Sequence, residues 1–154
     1  MDQQQSGQAD QGAEVQALHA AEASPVALRL DVPATSAQVA DIRRSVRAAA
    51  RTHGISEPQL SDIGLAITEA CANVVTHAYR TAHDPGLLTV EAYRERRNFV
   101  VTVTDAGAGI APRADSPGLG LGLALIARMT RRMEIKNNDP IGSTVLMAFA
   151  IGQV

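Results

Sequence analysis

Two stretches of the chain alternate apolar and polar residues at a period of two, and only four polar residues, 95–98, separate them. The stretches run from Leu87 to Arg94 and from Phe99 to Thr104. Such alternation is typical of strands that have one apolar face. A connection as short as 95–98 favours a hairpin between antiparallel strands. The pattern therefore predicts an antiparallel sheet that is covered on one face.

Helical spacing of apolar residues predicts two helices before this hairpin and one after it. Thr35 or Ser36 can cap a first helix that ends near Thr52, and Ser56 can cap a second helix that runs to about Tyr79. The other predicted elements are a strand at 26–32, a short helix at about 121–129, and a final hairpin of 133–137 and 143–151. The order β-α-α-β-β-α-β-β indicates an α/β two-layer fold with a mostly antiparallel sheet.

The N-terminal residues differ in composition from the rest of the chain. Residues 1–24 are mostly Gln, Ala, Gly, Ser and acidic side chains, which bury too little apolar surface to offset the entropy of ordering. We therefore expect a mobile tail at 1–24. The remaining residues, 25–154, are enough for one domain with its own core.

Charge and cysteine content narrow the classes of function. A net charge of -2 and a pI near 6.1 give no sign of a surface for nucleic acid or membrane. No apolar run is long enough to cross a bilayer, and the N-terminus lacks the pattern of a secretory signal. The single cysteine, Cys71, cannot form an internal disulfide, which fits a reducing compartment. We expect a cytoplasmic protein that binds neither nucleic acid nor membrane.

Three polar residues recur at a spacing of four in the second helix: Glu69, Asn73 and His77. Each step of four turns an α-helix by only roughly 40°, so the three side chains lie along one edge. An amide oxygen is a hard ligand suited to Mg²⁺, and a carboxylate can accept a proton from an attacking hydroxyl. The alternative is an ordinary solvated face of an amphipathic helix.

Two glycine motifs follow. Asp105-Ala-Gly107-Ala-Gly109-Ile110 comes directly after a strand, so its carboxylate can accept a hydrogen bond from an exocyclic amine such as that of adenine. The alternative is a plain Asp-Gly turn. The pattern matches neither a P-loop nor a dinucleotide-binding fingerprint, and the only lysine, Lys136, lies far downstream.

The second glycine motif, Gly118-Leu-Gly120-Leu-Gly122, leads into a helix. Backbone N–H groups at a helix start bind anions, and glycine leaves room for a phosphate. The alternative is a flexible entry loop. Further on, Gly142-Ser143-Thr144 opens the last strand, where a hydroxyl could reach a base or a bound water; an ordinary turn before a strand is the alternative.

Together, the three motifs resemble the N, G1 and G2 boxes of the GHKL ATPase superfamily, which has the Bergerat ATP-binding fold. The resemblance covers about residues 26–151. The segment 69–79 with its His-Ala-Tyr ending and the short length look most like the anti-sigma-factor serine kinases of bacteria. The resemblance implies helices on one face of a mixed, mainly antiparallel sheet, and it implies ATP and Mg²⁺ as cofactors.

Carried over by position, the resemblance implies a role for each motif residue. Glu69 would be the catalytic base or polarising carboxylate, Asn73 would bind Mg²⁺, and Asp105 would bind the adenine amine. The other residues implied to bind the nucleotide are His77, Gly107, Gly109, Ile110, Gly118, Leu119, Gly120 and Thr144. Thr144 would support the adenine through water.

The same resemblance implies a function and partners. These kinases phosphorylate a serine of an anti-sigma-factor antagonist of the STAS fold, and they bind a sigma factor and are often homodimers. One departure is that the segment 111–117 is short and contains only one basic residue, Arg113. Missing positive charge near the transferred phosphate can cost roughly 10³-fold or more, so this departure bears on turnover more than on nucleotide binding.

Other interpretations of the sequence stay open. The chain could be a regulatory module that binds ATP and a partner with little or no turnover. It could also be a histidine-kinase-like catalytic domain without its dimerisation helices, or an α/β domain without a ligand. The first helix is rich in arginine and could contact an acidic partner, although a solvated face explains the same pattern. Its arginines are Arg43, Arg44, Arg47 and Arg51.

Overall fold

The computed structural model describes residues 25–108, 119–138 and 140–152. Its elements follow the predicted order. They are strand β1 (Leu28–Pro33), helices α1 (Ser36–Thr52) and α2 (Glu57–Asn73), strands β2 (Leu87–Glu95) and β3 (Asn98–Asp105), helix α3 (Leu119–Met129), and strands β4 (Arg132–Asn137) and β5 (Ser143–Ala150). The predicted tail at 1–24 lies outside the described residues.

The five strands form one sheet in the order β1-β2-β3-β5-β4, and each of its four pairings is antiparallel. The predicted two-layer α/β fold is confirmed, although the described sheet is antiparallel throughout where the resemblance implied a mixed one. The connection between β1 and β2 explains the difference. Two helices return the chain to the end of the sheet at which β1 finishes, so β2 runs in the opposite direction.

Local sequence signals define the start of α2. Ser56 precedes the helix, and both its backbone N–H and its hydroxyl donate to the side-chain oxygen of Gln59, at 3.4 Å and 3.0 Å. Glu57 and Pro58 occupy the first turn, where an acidic side chain and a residue without an N–H are both favourable. Helix α2 therefore begins where the sequence predicts.

The end of α2 differs from the prediction of one regular helix to about Tyr79. The α-helical part ends at Asn73, and a single π-helical turn, Val74–Ala78, follows. A π turn holds more residues per turn than an α-helix and changes the direction of the side chains after it. Such turns are frequent at functional sites, and this one contains His77.

The hydrophobic core lies between the helices and one face of the sheet. The two long helices contribute the buried side chains Ile42, Val46, Leu60, Ile63 and Ile67, and the π turn contributes Val74. The sheet contributes Leu88, Val90, Phe99, Val101, Val103, Val145 and Met147, all at most 1% exposed. Burial of this much apolar surface is the main stabilisation of the fold.

The opposite face of the sheet is polar and carries ion pairs between side chains of different strands. Arg29 contacts Glu91 at 2.6 Å, and Arg132 contacts Glu95 at 2.9 Å. Within the described part of the chain, no helix is long and apolar enough to cross a bilayer.

The described residues of the predicted motifs lie at one end of the sheet. Strand β3 finishes there at Asp105, which pairs with Ser143 at the start of β5 and with Leu88 near the start of β2. Helix α2 also finishes at this end, since its last turns contact the turn after β3: the carbonyl of Ala78 accepts a hydrogen bond of 2.7 Å from the N–H of Ala108.

Candidate functional site

Glu69 and Asn73 meet the first turns of α3, as their four-residue spacing on one edge of α2 predicts. A Cβ atom on Gly122 would lie 3.0 Å from Oε2 of Glu69 and 3.4 Å from Nδ2 of Asn73. Glu69 is half-buried, and Asn73 is only 7% exposed. A carboxylate and a carboxamide therefore border the N-terminal part of a helix, where unpaired backbone N–H groups and the helix dipole favour an anion.

Two polar side-chain atoms near these residues are buried without a hydrogen-bond partner among the described residues. They are Nδ2 of Asn73 and Nδ1 of His77. Because buried polar atoms in proteins are nearly always paired, each unpaired atom indicates a position that a ligand or water completes. His77 lies in the π turn, so the straight row of three polar residues that an α-helix predicts continues only from Glu69 to Asn73.

The carboxylate of Asp105 is buried, with the residue 2% exposed, and its orientation is fixed from two sides. Oδ1 accepts a hydrogen bond of 2.9 Å from the backbone N–H of Gly107. Oδ2 accepts a hydrogen bond of 2.7 Å from the hydroxyl of Ser143, which is itself fully buried. Each carboxylate oxygen has two lone pairs and can accept more than one hydrogen bond, which is the chemistry that an amine donor requires.

Thr144, the residue predicted to support the adenine, faces away from Asp105. Its hydroxyl lies 2.9 Å from that of Thr104, its cross-strand neighbour, on the polar face of the sheet. Side chains of adjacent strand residues point to opposite faces, so Ser143 and Thr144 cannot share one face. The structure therefore brings Ser143 to Asp105, whereas the Thr144 hydroxyl lies on the other face and accepts a hydrogen bond of 3.1 Å from Nδ2 of Asn138; a role of Thr144 in binding adenine stays a prediction. The pairing of β3 with β5 identifies Ser143 as the neighbour of the carboxylate, because Asp105 pairs directly with Ser143.

Two glycines let backbone segments approach each other closely beside Asp105. A Cβ atom on Gly107 would collide with the carbonyl oxygen of Ala78. Gly142 has a φ of +96°, which glycine adopts at little cost, and a Cβ atom there would collide with the carbonyl oxygen of Asp105. Both positions need glycine for the turns next to Asp105 to keep this geometry.

Helix α3 begins at Leu119, two residues earlier than predicted. Gly120 and Gly122 therefore lie in its first turns, where the backbone N–H groups have no intrahelical partner. Gly120 is exposed, and a Cβ atom there would meet no atom within 4 Å in the part of the chain that the structure describes. Its backbone is therefore open to a ligand, as the predicted contact with a phosphate requires. The remaining predicted residues Gly109, Ile110 and Gly118 and the segment 111–117 lie outside the described residues.

A cavity of about 390 Å³ opens beside the turn that follows Asp105. It is lined by Gly107, Ala108, Asn137, Asn138, Pro140, Ile141 and Gly142. Its volume falls within the range of roughly 300–1,000 Å³ that is usual for small-molecule sites. A second cavity, of about 430 Å³, lies at the opposite end of the sheet next to Gln59 and Arg131, and none of the motif residues lines it.

The residues at the end of α2 fit a magnesium ion that takes some of its ligands from the protein and the others from a nucleotide. The described residues contain no cluster of three or more His, Cys, Asp or Glu side chains that could hold a metal by itself. Mg²⁺ commonly takes one or two protein oxygens and completes its shell with phosphates and water. Asn73 offers an amide oxygen of this kind, and its Nδ2 atom has no hydrogen-bond partner among the described residues.

Comparison with known proteins identifies the family. The family described as "Histidine kinase-like ATPase domain" matches residues 32–149. The serine-protein kinase RsbW of Halalkalibacterium halodurans is 31% identical over 132 residues, which are 76% of this chain and 80% of that protein.

Solved structures share the fold. The RsbU and RsbW domains of Rv1364c from Mycobacterium tuberculosis superpose with a TM-score of 0.63 at 22% identity, over 82% of this chain and 33% of that one. The SiaB-SiaC complex from Pseudomonas aeruginosa contains a chain that superposes with a TM-score of 0.63 at 14% identity, over 94% of this chain and all of that one. At these identities, the two structures establish the fold alone.

Proposed function

The chain belongs to the family of histidine kinase-like ATPase domains, with the serine-protein kinase RsbW among its relatives, and from this premise we propose that it binds Mg-ATP and phosphorylates a serine of a partner protein. One observation carries the proposal. Glu69 and Asn73 border the N-terminal turns of α3, while the buried carboxylate of Asp105 lies at the same end of the sheet and is bonded to Gly107, which lines the cavity. Adenine and phosphate binding groups thus occur in one site.

Each residue has a distinct task in this proposal. The Asp105 carboxylate accepts a hydrogen bond from the adenine amine, and Ser143 and the N–H of Gly107 hold that carboxylate in place. The backbone N–H groups near Gly120 bind phosphate oxygens. Asn73 would hold Mg²⁺, which when bound neutralises phosphate charge. Glu69 accepts the proton of the attacking serine hydroxyl, or polarises that hydroxyl, as phosphate transfer proceeds.

The test of this function separates nucleotide binding from transfer. Titration calorimetry with ATP, in the presence and absence of Mg²⁺, measures binding by wild type, Asp105→Asn and Asn73→Ala. We expect Asp105→Asn to lose binding and Asn73→Ala to lose the dependence on Mg²⁺. A folded wild-type protein that binds no nucleotide would overturn the proposal.

Transfer is measured with the anti-sigma-factor antagonist from the same organism, which we propose as the substrate. Wild-type protein should form phosphoserine on it, and Glu69→Gln should bind ATP and the antagonist normally but transfer phosphate at least about 10²-fold more slowly. Thr68→Val, a change at the neighbouring helix position that faces α1, is the matched control. Equal rates in wild type and Glu69→Gln would contradict the proposed base.

A second candidate function is a binding module in which ATP is a structural or switching ligand. The sequence favours it in one respect, since Arg113 is the only basic residue in the short segment 111–117. Single-turnover phosphorylation at an ordinary kinase rate would eliminate this module as the only role. Nucleotide binding without phosphoserine would favour it.

A sigma factor is the second proposed partner, and two arginines of α1 define a surface for it. Arg43 and Arg47 extend across α2 above Gly64 and form no ion pair with any described residue. Arg44 and Arg51, by contrast, pair with Asp41 and Glu57. Guanidinium groups that form no ion pair within the described residues suit carboxylates of a partner.

Charge reversal tests this surface. We expect Arg43→Glu to weaken sigma-factor binding more than Arg44→Glu does, and equal affinities would contradict the assignment. We further propose that the protein is cytoplasmic and forms a homodimer. Sedimentation of the purified protein tests the dimer.

A further inference from the structure

The hydroxyl of Tyr79 joins two strands at the edge of the candidate nucleotide site. It donates a hydrogen bond of 2.5 Å to the carbonyl of Leu87 and accepts one of 2.8 Å from the N–H of Ala106. Burial raises the pKa of Tyr79, so the hydroxyl keeps the proton that it donates. One side chain therefore binds the start of β2 and the residue that follows Asp105.

These two partners occupy the next position of the strand register. Leu88 pairs with Asp105, so Leu87 and Ala106 would form the following pair of the β2–β3 ladder. The ladder stops at Asp105, and the Tyr79 hydroxyl satisfies the acceptor and the donor that lie beyond it. Strand β3 can therefore leave the sheet at this point without losing both hydrogen bonds.

The ring of Tyr79 packs closely against two glycines, so its position is fixed as well as that of its hydroxyl. A Cβ atom on Gly86 would collide with the ring, and one on Gly107 would lie 2.8 Å from its Cδ1 atom. The neighbouring residue adds a further bond, because the carbonyl of Ala78 accepts a hydrogen bond from the N–H of Ala108. The turn after Asp105 is thus fixed to the end of α2 by side chain and backbone together.

We propose that Tyr79 is a positioning residue of the nucleotide site, whose hydroxyl sets the location of the Asp105 carboxylate relative to the end of α2. This inference rests on the proposed binding of ATP. Tyr79 directly follows the π turn that contains His77, and the same helix carries Asn73. Its hydroxyl consequently fixes the separation between the adenine end and the phosphate end of the site.

The test compares ATP with inosine triphosphate, which has a carbonyl oxygen in place of the adenine amine. Wild-type protein should prefer ATP, because the Asp105 carboxylate accepts a hydrogen bond from that amine. In Tyr79→Phe, which keeps the ring, we expect ATP affinity to fall about tenfold and inosine triphosphate affinity to change less than about twofold. The preference for ATP is therefore the quantity to measure by calorimetry.

Tyr93→Phe is the matched control, since Tyr93 is the other of two tyrosines and lies on the opposite, polar face of the sheet. An unchanged preference for ATP in Tyr79→Phe, or an equal loss of both nucleotides, would overturn the inference. If wild-type protein binds neither nucleotide, the proposed function itself fails, and the inference fails with it.

Amide hydrogen exchange of the wild-type protein gives a second measurement. It tests whether the Tyr79 hydroxyl holds the turn even if Tyr79→Phe does not fold. Ala106 is exposed, and its N–H donates to the Tyr79 hydroxyl. We expect this amide to exchange at least about tenfold more slowly than an unstructured amide. Exchange at the unstructured rate would show that the hydroxyl does not hold the turn.

Discussion

The hydroxyl of Ser143 donates a hydrogen bond of 2.7 Å to Oδ2 of Asp105, and both residues are at most 2% exposed. A buried carboxylate needs donors, and this one receives one from the first residue of β5 and one from the N–H of Gly107. Its orientation is therefore set by the protein before any ligand arrives. Such preorganisation lowers the cost of binding an adenine amine.

Ser143→Ala should weaken ATP binding about tenfold, because the Asp105 carboxylate loses a charged hydrogen bond and its fixed orientation. Calorimetric titration with ATP measures the effect. Thr144→Ala is the matched control, since its hydroxyl lies beside Thr104 on the other face of the sheet. An equal loss of affinity in both variants would contradict the assignment of Ser143.

The strands and helices could be predicted from the sequence. The face of the sheet on which a single side chain lies was much harder to predict. Alternation at 87–94 and 99–104 identified the central hairpin, because a period of two requires only neighbouring residues. The choice between Ser143 and Thr144 depends on the pairing of β3 with β5, which is a long-range contact.

The ends of two helices also could not be predicted from local sequence patterns. The π turn at Val74–Ala78 keeps the four-residue spacing of an α-helix in the sequence, so only the backbone reveals it. The sequence predicted the start of α3 two residues too late, because the low helix propensity of its glycines indicated a loop where the structure has a helix from Leu119. The roles of Glu69, Asn73 and His77 in binding and catalysis stay predictions.

Gly122→Ala should reduce phosphate transfer more than ATP affinity. Its Cβ atom would lie 3.0 Å from Oε2 of Glu69, closer than such contacts normally are, so the carboxylate must move. We expect the transfer rate to fall at least about tenfold, because a small displacement of a catalytic base is costly. Single-turnover phosphorylation and ATP titration of the same variant measure the two effects, and equal losses would contradict the placement of Glu69.

Gly120→Ala should move stability and ATP affinity in opposite directions. Its Cβ atom meets no atom of the described residues within 4 Å, and alanine favours a helix over glycine, so we expect the free energy of unfolding to rise by about 0.5–1 kcal/mol. The same methyl group would occupy the space of a phosphate and weaken ATP binding. Urea unfolding without nucleotide and calorimetry with ATP provide the two values. An increase in both would contradict a phosphate site at Gly120.

Cys71 should make the protein less stable at high pH. Burial raises the pKa of its thiol from the usual 9.0 to about 12, so the folded protein keeps a proton that the unfolded chain loses above about pH 9. The stabilisation is complete below that pH and decreases as the pH rises toward 12. Between about pH 8 and about pH 10, the free energy of unfolding should fall by about 1 kcal/mol through this group.

Urea unfolding of wild type and Cys71→Ala across this pH range isolates the contribution of the thiol. Tyr79 and Tyr93 also have raised pKa values because of burial, but they contribute equally to both proteins and cancel in the difference. We expect the wild type to lose stability more steeply than Cys71→Ala, although the variant starts lower because it removes a buried sulfur atom. Parallel curves for the two proteins would mean that the thiol is accessible to water and ionises normally in the folded state.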